Sequence, residues 1–182
     1  MKNLLTTQQQ KNDFDKMAND YKNWFRKTRA HHLSAKKLFK SYKNSLKEMQ
    51  KNGTGKVPTS FWLSDPMLLL EGFAIETLLK GLYLVDGGKL SQDGKLLPLS
   101  KSHDLATWCK RTNTAIDSKE ENLFKFLTLI IKSYGRYPVP LHYEINPYIK
   151  KAKVGYTQRY TWSHNDMVLI DDFIISIIGN DS

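Results

Sequence analysis

The chain of 182 residues contains a single cysteine, Cys109, and no long apolar segment. One cysteine excludes an internal disulfide framework and any zinc site that needs two or more thiolates. No run approaches the roughly 20 apolar residues of a membrane-spanning helix, and the N-terminus lacks the apolar core of a signal peptide. Motifs for a metal ion or a cofactor are absent as well. We therefore expect a soluble, cytoplasmic protein that needs neither metal nor cofactor and has no membrane partner.

Proline and glycine are absent from residues 8–50. Over this segment apolar residues recur at three- and four-residue steps, which predicts an amphipathic helix. The pattern lapses over residues 26–34, where charged residues and histidines replace the apolar ones. The segment is therefore either one long helix that passes through a polar patch or two helices that meet there. Gly53 and Gly55 predict the end of this helical segment.

The segment that follows is apolar on nearly every side and predicts a helix at the centre of a bundle. Asp65 is its predicted N-cap and Pro66 its first helical residue, and the helix should end at Gly87. Gly72 and Gly81 would permit close contacts with neighbouring helices.

Three capping patterns predict the remaining helices. Either Ser102 or Asp104 caps a short helix that runs to Cys109. A capping box at Ser118 and Glu121 begins a third main helix, which ends at Gly135. A second capping box, at Ser163 and Asp166, begins a last helix, which ends at Gly179. Residues 136–162 contain three prolines and predict a long loop without a strand.

These elements predict one all-α domain over residues 1–182, with residues 1–7 as a flexible tail. The expected architecture is an up-and-down bundle of four to five helices with a long loop before the last helix.

Positive charge is concentrated in the N-terminal third of the chain. The formal net charge is +10, and residues 1–56 hold 14 of the 28 Lys and Arg residues but only 4 of the 18 Asp and Glu residues. Such a one-sided charge attracts polyanions, either nucleic acid or an acidic protein partner. The alternative is a lysine-rich helix face that is only solvated. The salt dependence of binding separates the two.

Two runs combine cations with aromatic residues and are candidate nucleic-acid-binding segments. The first surrounds Arg26, Lys27 and Arg29; the second, in the predicted loop, contains Lys150, Lys151, Lys153 and Arg159. The alternative for the first run is a solvent-facing helix stretch over an aromatic core. The adjacent His31 and His32 predict no metal site, because neighbours on a helix point about 100° apart.

A polar network is predicted around the central helix. Glu76 and Lys80 lie at the i, i+4 spacing of a pair on one helix face. Because buried charges need partners, we expect His103, Asp104 and Arg136 to contact them. The network either supports an active site or holds the bundle together.

Three segments together carry a family resemblance. The order of "FAIETLLKGLYL", "HDLATW" and an apolar helix ending in "GRYPVPLH" resembles the HEPN superfamily of helical proteins over roughly residues 65–142. The resemblance implies homodimerisation, RNA as a partner and metal-independent endoribonuclease activity in a toxin–antitoxin or defence system. The alternatives are a non-catalytic HEPN-like module that acts through protein association or nucleotide binding, and a DNA-associated accessory protein.

The resemblance also implies a catalytic pair, Arg136 and His142. Active members are similar in having an arginine and, four to six residues later, a histidine near the end of the third main helix. The arginine would stabilise the phosphate and the histidine would act as general acid or base. The same spacing joins Arg26 to His31, so position alone favours the pair. The alternative is that Arg136 caps the carbonyl end of the third helix.

Overall fold

The structure, a computed structural model, describes residues 6–52, 63–134, 149–152, 155–158 and 162–179. Within these ranges the chain forms six α-helices: α1 (Thr7–Ala18), α2 (Tyr21–Asn52), α3 (Ser64–Val85), α4 (Leu105–Arg111), α5 (Ser118–Leu129) and α6 (His164–Ile178). The predicted all-α helical bundle is confirmed.

Two short antiparallel hairpins accompany the helices. Strand β1 (Ser91–Gln92) pairs with β2 (Lys95–Leu96), and β3 (Ile149–Ala152) pairs with β4 (Gly155–Gln158). The expectation that the chain has no strand is therefore wrong at both places. The second hairpin lies inside the predicted long loop, and its strands of four residues each carry no apolar–polar alternation that would have predicted them.

The N-terminal helical segment is two helices, but they do not meet at the polar patch. The break is at Asn19, whose side-chain amide donates to the Ser91 carbonyl oxygen at 3.0 Å and accepts from the Leu90 N–H at 2.8 Å. This side chain fastens the end of α1 to the first hairpin. Residues 26–34 continue without interruption inside α2, since Arg26 and Lys27 are exposed and the inward-facing Arg29 and His32 find polar partners on other helices.

Helix α3 forms the centre of the bundle, as predicted, and packs against α2, α4, α5 and α6. Its buried face includes the fully enclosed Ile75 and Leu79. Both predicted glycine contacts are present. An added Cβ at Gly81 would lie 2.5 Å from the Phe25 ring, and one at Gly72 would lie 2.8 Å from Ile131.

The capping patterns place the starts of α4, α5 and α6 to within one residue and the start of α3 to within two. Asp104 caps α4 through the Thr107 N–H at 3.0 Å, which resolves the choice between Ser102 and Asp104. Helix α3 begins at Ser64, so Asp65 lies in its first turn and is not the N-cap.

The predicted cap of α5 is one residue away from the observed one, and the predicted cap of α6 is correct. Asp117, one residue earlier than predicted, caps α5 together with Glu120, because an aspartate and a serine stand side by side and either side chain can accept the bonds. The Ser163–Asp166 capping box of α6 is confirmed. Helix α5 continues into a π-helical turn, Ile130–Tyr134, and its predicted end at Gly135 lies outside the described residues.

Candidate functional site

A groove crosses the surface between α2 and the start of α6. It consists of two adjoining depressions of about 390 and 500 Å³, which share Phe39, Lys43 and His164 in their walls. Lysines and aromatic residues make up most of the lining. We call this feature the α2–α6 groove.

Four lysines form a row along one wall of the groove: Lys36, Lys40, Lys43 and Lys47. Their spacing of four, three and four residues places them on one face of α2 and spreads them over about 16 Å at the rise of an α-helix. Three of them are exposed; Lys43 is half-buried, with its Nζ 4.7 Å from the centre of the Phe39 ring. The row presents positive charge to any polyanion that enters the groove.

Aromatic rings form the floor and the opposite wall. His164 stacks on Phe39 with ring centres 5.2 Å apart and an interplanar angle of 25°, and Tyr42 lies 5.4 Å from Trp162. Phe39 is buried beneath the others, while Tyr42 and Trp162 are half-buried and His164 is exposed. Burial raises the pKa of Tyr42, so its hydroxyl keeps the proton and can donate a hydrogen bond.

A chain of polar contacts leads from the groove wall into the core. The Nδ1 atom of His32 lies 2.9 Å from Oε2 of Glu71 on α3, and its Nε2 atom lies 2.8 Å from Oδ1 of Asp171 on α6. Asp171 also accepts from Lys36 at 2.7 Å. This Glu71–His32–Asp171 chain joins three helices, and its outer member, Asp171, lines the groove.

The electrostatics of the chain favour a protonated ring. Carboxylates only accept, so an imidazolium that donates from both nitrogens satisfies both partners of His32. Burial lowers the pKa of His32, but the hydrogen bonds and charges of Glu71 and Asp171 outweigh it and raise that pKa above the ordinary value. Burial also raises the pKa of Glu71. The Glu71–His32 pair therefore keeps its shared proton to higher pH than an isolated histidine or glutamate would.

A second buried cluster lies further along α3. Lys80 donates to Oε1 of Glu76 at 2.5 Å and to the Ser100 carbonyl oxygen at 2.6 Å, and His103 Nδ1 lies 2.9 Å from Oε2 of Glu76. The structure thus brings three predicted network residues together. Asp104 is not among them, because its side chain caps α4.

The first predicted nucleic-acid-binding run, around Arg26, Lys27 and Arg29, lies partly on the surface and partly in the interior. Arg26 and Lys27 are exposed, and Arg26 donates to the Asn23 side chain at 2.8 Å. Arg29 is half-buried and donates to the Ile178 carbonyl oxygen at 3.0 Å. It therefore attaches α2 to the end of α6. His31 lies against Phe73, with ring centres 5.7 Å apart.

Six predicted site residues belong to the segment between α5 and α6. Lys150 and Lys151 lie in strand β3. The remaining ones lie outside the described residues: Arg136, His142, Lys153 and Arg159.

The lysine row and the Glu71–His32–Asp171 chain were not predicted. The lysine spacing in residues 36–47 was a usable signal, since it matches one helix face beside the apolar stripe. The chain left no local signal, because His32 and Asp171 are 139 residues apart.

Comparison with known proteins identifies no relative: no family model, curated protein or solved structure matches this chain. Across the described ranges, no three His, Cys, Asp or Glu side chains are arranged to hold a metal ion. The helices in those ranges include none that is long and apolar enough to span a membrane. We infer a function from the lysines and aromatic rings of the α2–α6 groove.

Proposed function

We propose that this helical protein binds single-stranded RNA along the α2–α6 groove. The observation that supports the proposal is the lysine row beside the rings of Tyr42, Trp162 and His164. Lysines attract phosphates of any sequence, and aromatic faces stack on unpaired bases. A duplex conceals its base faces, so a groove with this lining favours a single strand.

The charge distribution and the sequence resemblance support RNA as the ligand. The positive excess of the chain falls in residues 1–56, and α2, which carries the lysine row, spans most of that segment. The resemblance to the HEPN superfamily favours RNA over DNA. An acidic protein partner would use the same charges, and competition between the RNA and a polyglutamate peptide separates the two ligands.

Anisotropy of a short labelled RNA tests the groove. With a single strand of about ten nucleotides, within the site sizes of single-strand-binding folds, Lys40→Ala should weaken binding. It should also reduce the slope of log affinity against log salt by about 0.7, the value for one lost phosphate contact. The matched control is Lys37→Ala, an exposed lysine on the same helix that does not line the groove.

A second variant separates stacking from charge. Trp162→Ala should lower the affinity by roughly 1 to 3 kcal/mol, the contribution of one stacked base, and leave the salt slope unchanged. Equal losses in Lys37→Ala and Lys40→Ala would reject the groove in favour of unspecific attraction. Larger losses of affinity in Arg26→Ala and Lys27→Ala would place the binding site at the run of Arg26, Lys27 and Arg29 that the sequence predicted.

Metal-independent cleavage by Arg136 and His142 stays a prediction, because both residues lie outside the described ranges. One observation favours it: α5 ends in the π-helical turn just before this segment, and such turns are frequent at functional sites. Incubation of mixed RNA with chelator should give cleavage that is lost in Arg136→Ala and His142→Ala. Binding without cleavage would leave the non-catalytic HEPN-like module.

Homodimerisation also stays a prediction from the resemblance. Sedimentation of the purified protein with and without RNA should show twice the mass of the chain if two copies associate. A role in a toxin–antitoxin or defence system depends on the same resemblance, and growth arrest on expression would support it.

A further inference from the structure

The groove contains a carboxylate among its cations. Of the described residues that line it, Asp171 is the one acidic side chain. Its Oδ1 atom accepts from Lys36 at 2.7 Å and from His32 at 2.8 Å. The charge of Asp171 is thus balanced from two sides, and only one of those partners, Lys36, can also reach a ligand in the groove.

Protonation of His32 decides how that balance is kept. The charged groups that face His32 are Glu71 from α3, Asp171 from α6 and, through these carboxylates, Lys36 from α2. With the imidazolium present, two cations and two carboxylates sum to zero. Loss of the proton leaves one negative charge in excess, and Glu71 is fully buried with no solvent to share it.

The negative charge left by loss of the His32 proton changes the hydrogen bonding of Asp171 in the groove wall. A neutral imidazole can donate to one carboxylate and not to both. Glu71 has no other hydrogen-bond donor at its side chain within the described structure, so the remaining N–H stays with Glu71. Asp171 then depends on Lys36 alone. That lysine is held more firmly at the carboxylate, and the wall carries more negative charge.

We infer that His32 makes RNA binding in the α2–α6 groove pH-dependent, with affinity falling as the ring loses its proton. The inference depends on the proposed function, since it describes regulation of that same groove. The physical cause is the added negative charge beside Lys36. One such charge a few ångströms from a phosphate should change the affinity about two- to fivefold.

The proton is tested first, without RNA. Histidine ring signals in NMR spectra of the free protein, assigned with the His32→Gln variant, should show His32 still protonated when an exposed histidine has become neutral near pH 6.5. A ring that is already neutral below that pH overturns the inference. This measurement is independent of any ligand, so it distinguishes a failure of the proton from a failure of RNA binding.

Affinity is then measured for the short single-stranded RNA at constant salt, from about pH 6 to about pH 9, across the range in which a histidine with a raised pKa titrates. The wild-type affinity should fall about two- to fivefold. Asp171→Asn should bind more tightly than wild type at the upper pH and show a smaller decline, and His32→Gln should show a smaller decline as well.

A matched control removes His164, the histidine that lines the groove. His164→Gln should bind more weakly than wild type throughout, because it removes a stacking ring, but should keep the decline with pH. An unchanged decline in Asp171→Asn overturns the inference, even if His32→Gln proves too unstable to study. Absence of binding at every pH rejects both the inference and the proposed function, while the NMR titration still shows whether His32 holds its proton.

Discussion

Helix α3 carries two buried glutamates, Glu71 and Glu76, whose negative charges are balanced by different partners. Glu71 is fully buried and Glu76 is 6% exposed. Glu76 pairs with Lys80 of its own helix, and Glu71 pairs with His32 of α2. Lysine stays charged over the usual pH range, whereas histidine changes charge near neutrality. Glu76 thus has a lysine ammonium beside it as well as His103, whereas the one cationic partner of Glu71 in the described structure is the ring of His32. We call the Glu76–Lys80 pair the clamp and the Glu71–His32 pair the joint.

The surroundings of the two glutamates differ as well. The Lys80 ammonium lies between Trp24 and Trp108, 5.7 and 5.6 Å from the ring centres, and holds the Ser100 carbonyl oxygen. That cluster fastens α3 to the segment before α4. The Glu71–His32–Asp171 chain leads outward instead and ends at the groove. A buried charge pair can thus serve packing alone or connect the core to a binding surface.

Removal of Lys80 should have the largest effect. Lys80→Ala leaves Glu76 buried without its ammonium partner, which should cost about 3 to 5 kcal/mol of unfolding free energy. Urea unfolding followed by circular dichroism measures it. A loss below 1 kcal/mol would mean that Glu76 is not held by Lys80. Lys125→Ala, which breaks the exposed pair with Glu121, should change little and serves as control.

Removal of His32 should cost less, about 1 to 3 kcal/mol near neutral pH. His32→Gln takes the partner from Glu71, but this carboxyl group can become neutral because burial already raises its pKa. The same urea experiment applies. A loss equal to that of Lys80→Ala would contradict the distinction between the clamp and the joint.

The stability of the wild-type protein should depend on pH in the range where His32 titrates. Because the folded pKa of His32 is raised, its contribution is fully present below the ordinary histidine value. It is lost as pH rises through the folded value. Unfolding free energy should therefore fall above about pH 6.5. His32→Gln should remove this slope, and His103→Gln, which alters the Glu76 cluster, should keep it.

The smallest expected effect is on the reactivity of Cys109. Burial raises its pKa to about 12, so thiol reagents should react slowly with the folded protein. Cys109 follows Trp108, which contacts Lys80. Lys80→Ala should therefore speed labelling by more than its loss of global stability explains, and His32→Gln should not. Equal acceleration in both variants would show that the two clusters open together.

Features that depend on neighbouring residues could be predicted. A long apolar segment located α3, Asp104 is one of the two caps predicted for α4, and the capping box at Ser163 and Asp166 placed the start of α6 correctly. The Glu76–Lys80 pair follows from helical spacing alone. In contrast, the break at Asn19 depends on Ser91, 72 residues away, and no local pattern could reveal it.

The sequence by itself determined the helical class, the central position of α3 and the excess of positive charge in the first third, because each depends on composition and periodicity. Only the tertiary structure decided which cations share a groove with aromatic rings and which histidine bridges two carboxylates. Those arrangements join residues of α2 to residues of α6 that are far apart in the chain, and only the packing of the helices brings them within hydrogen-bond distance.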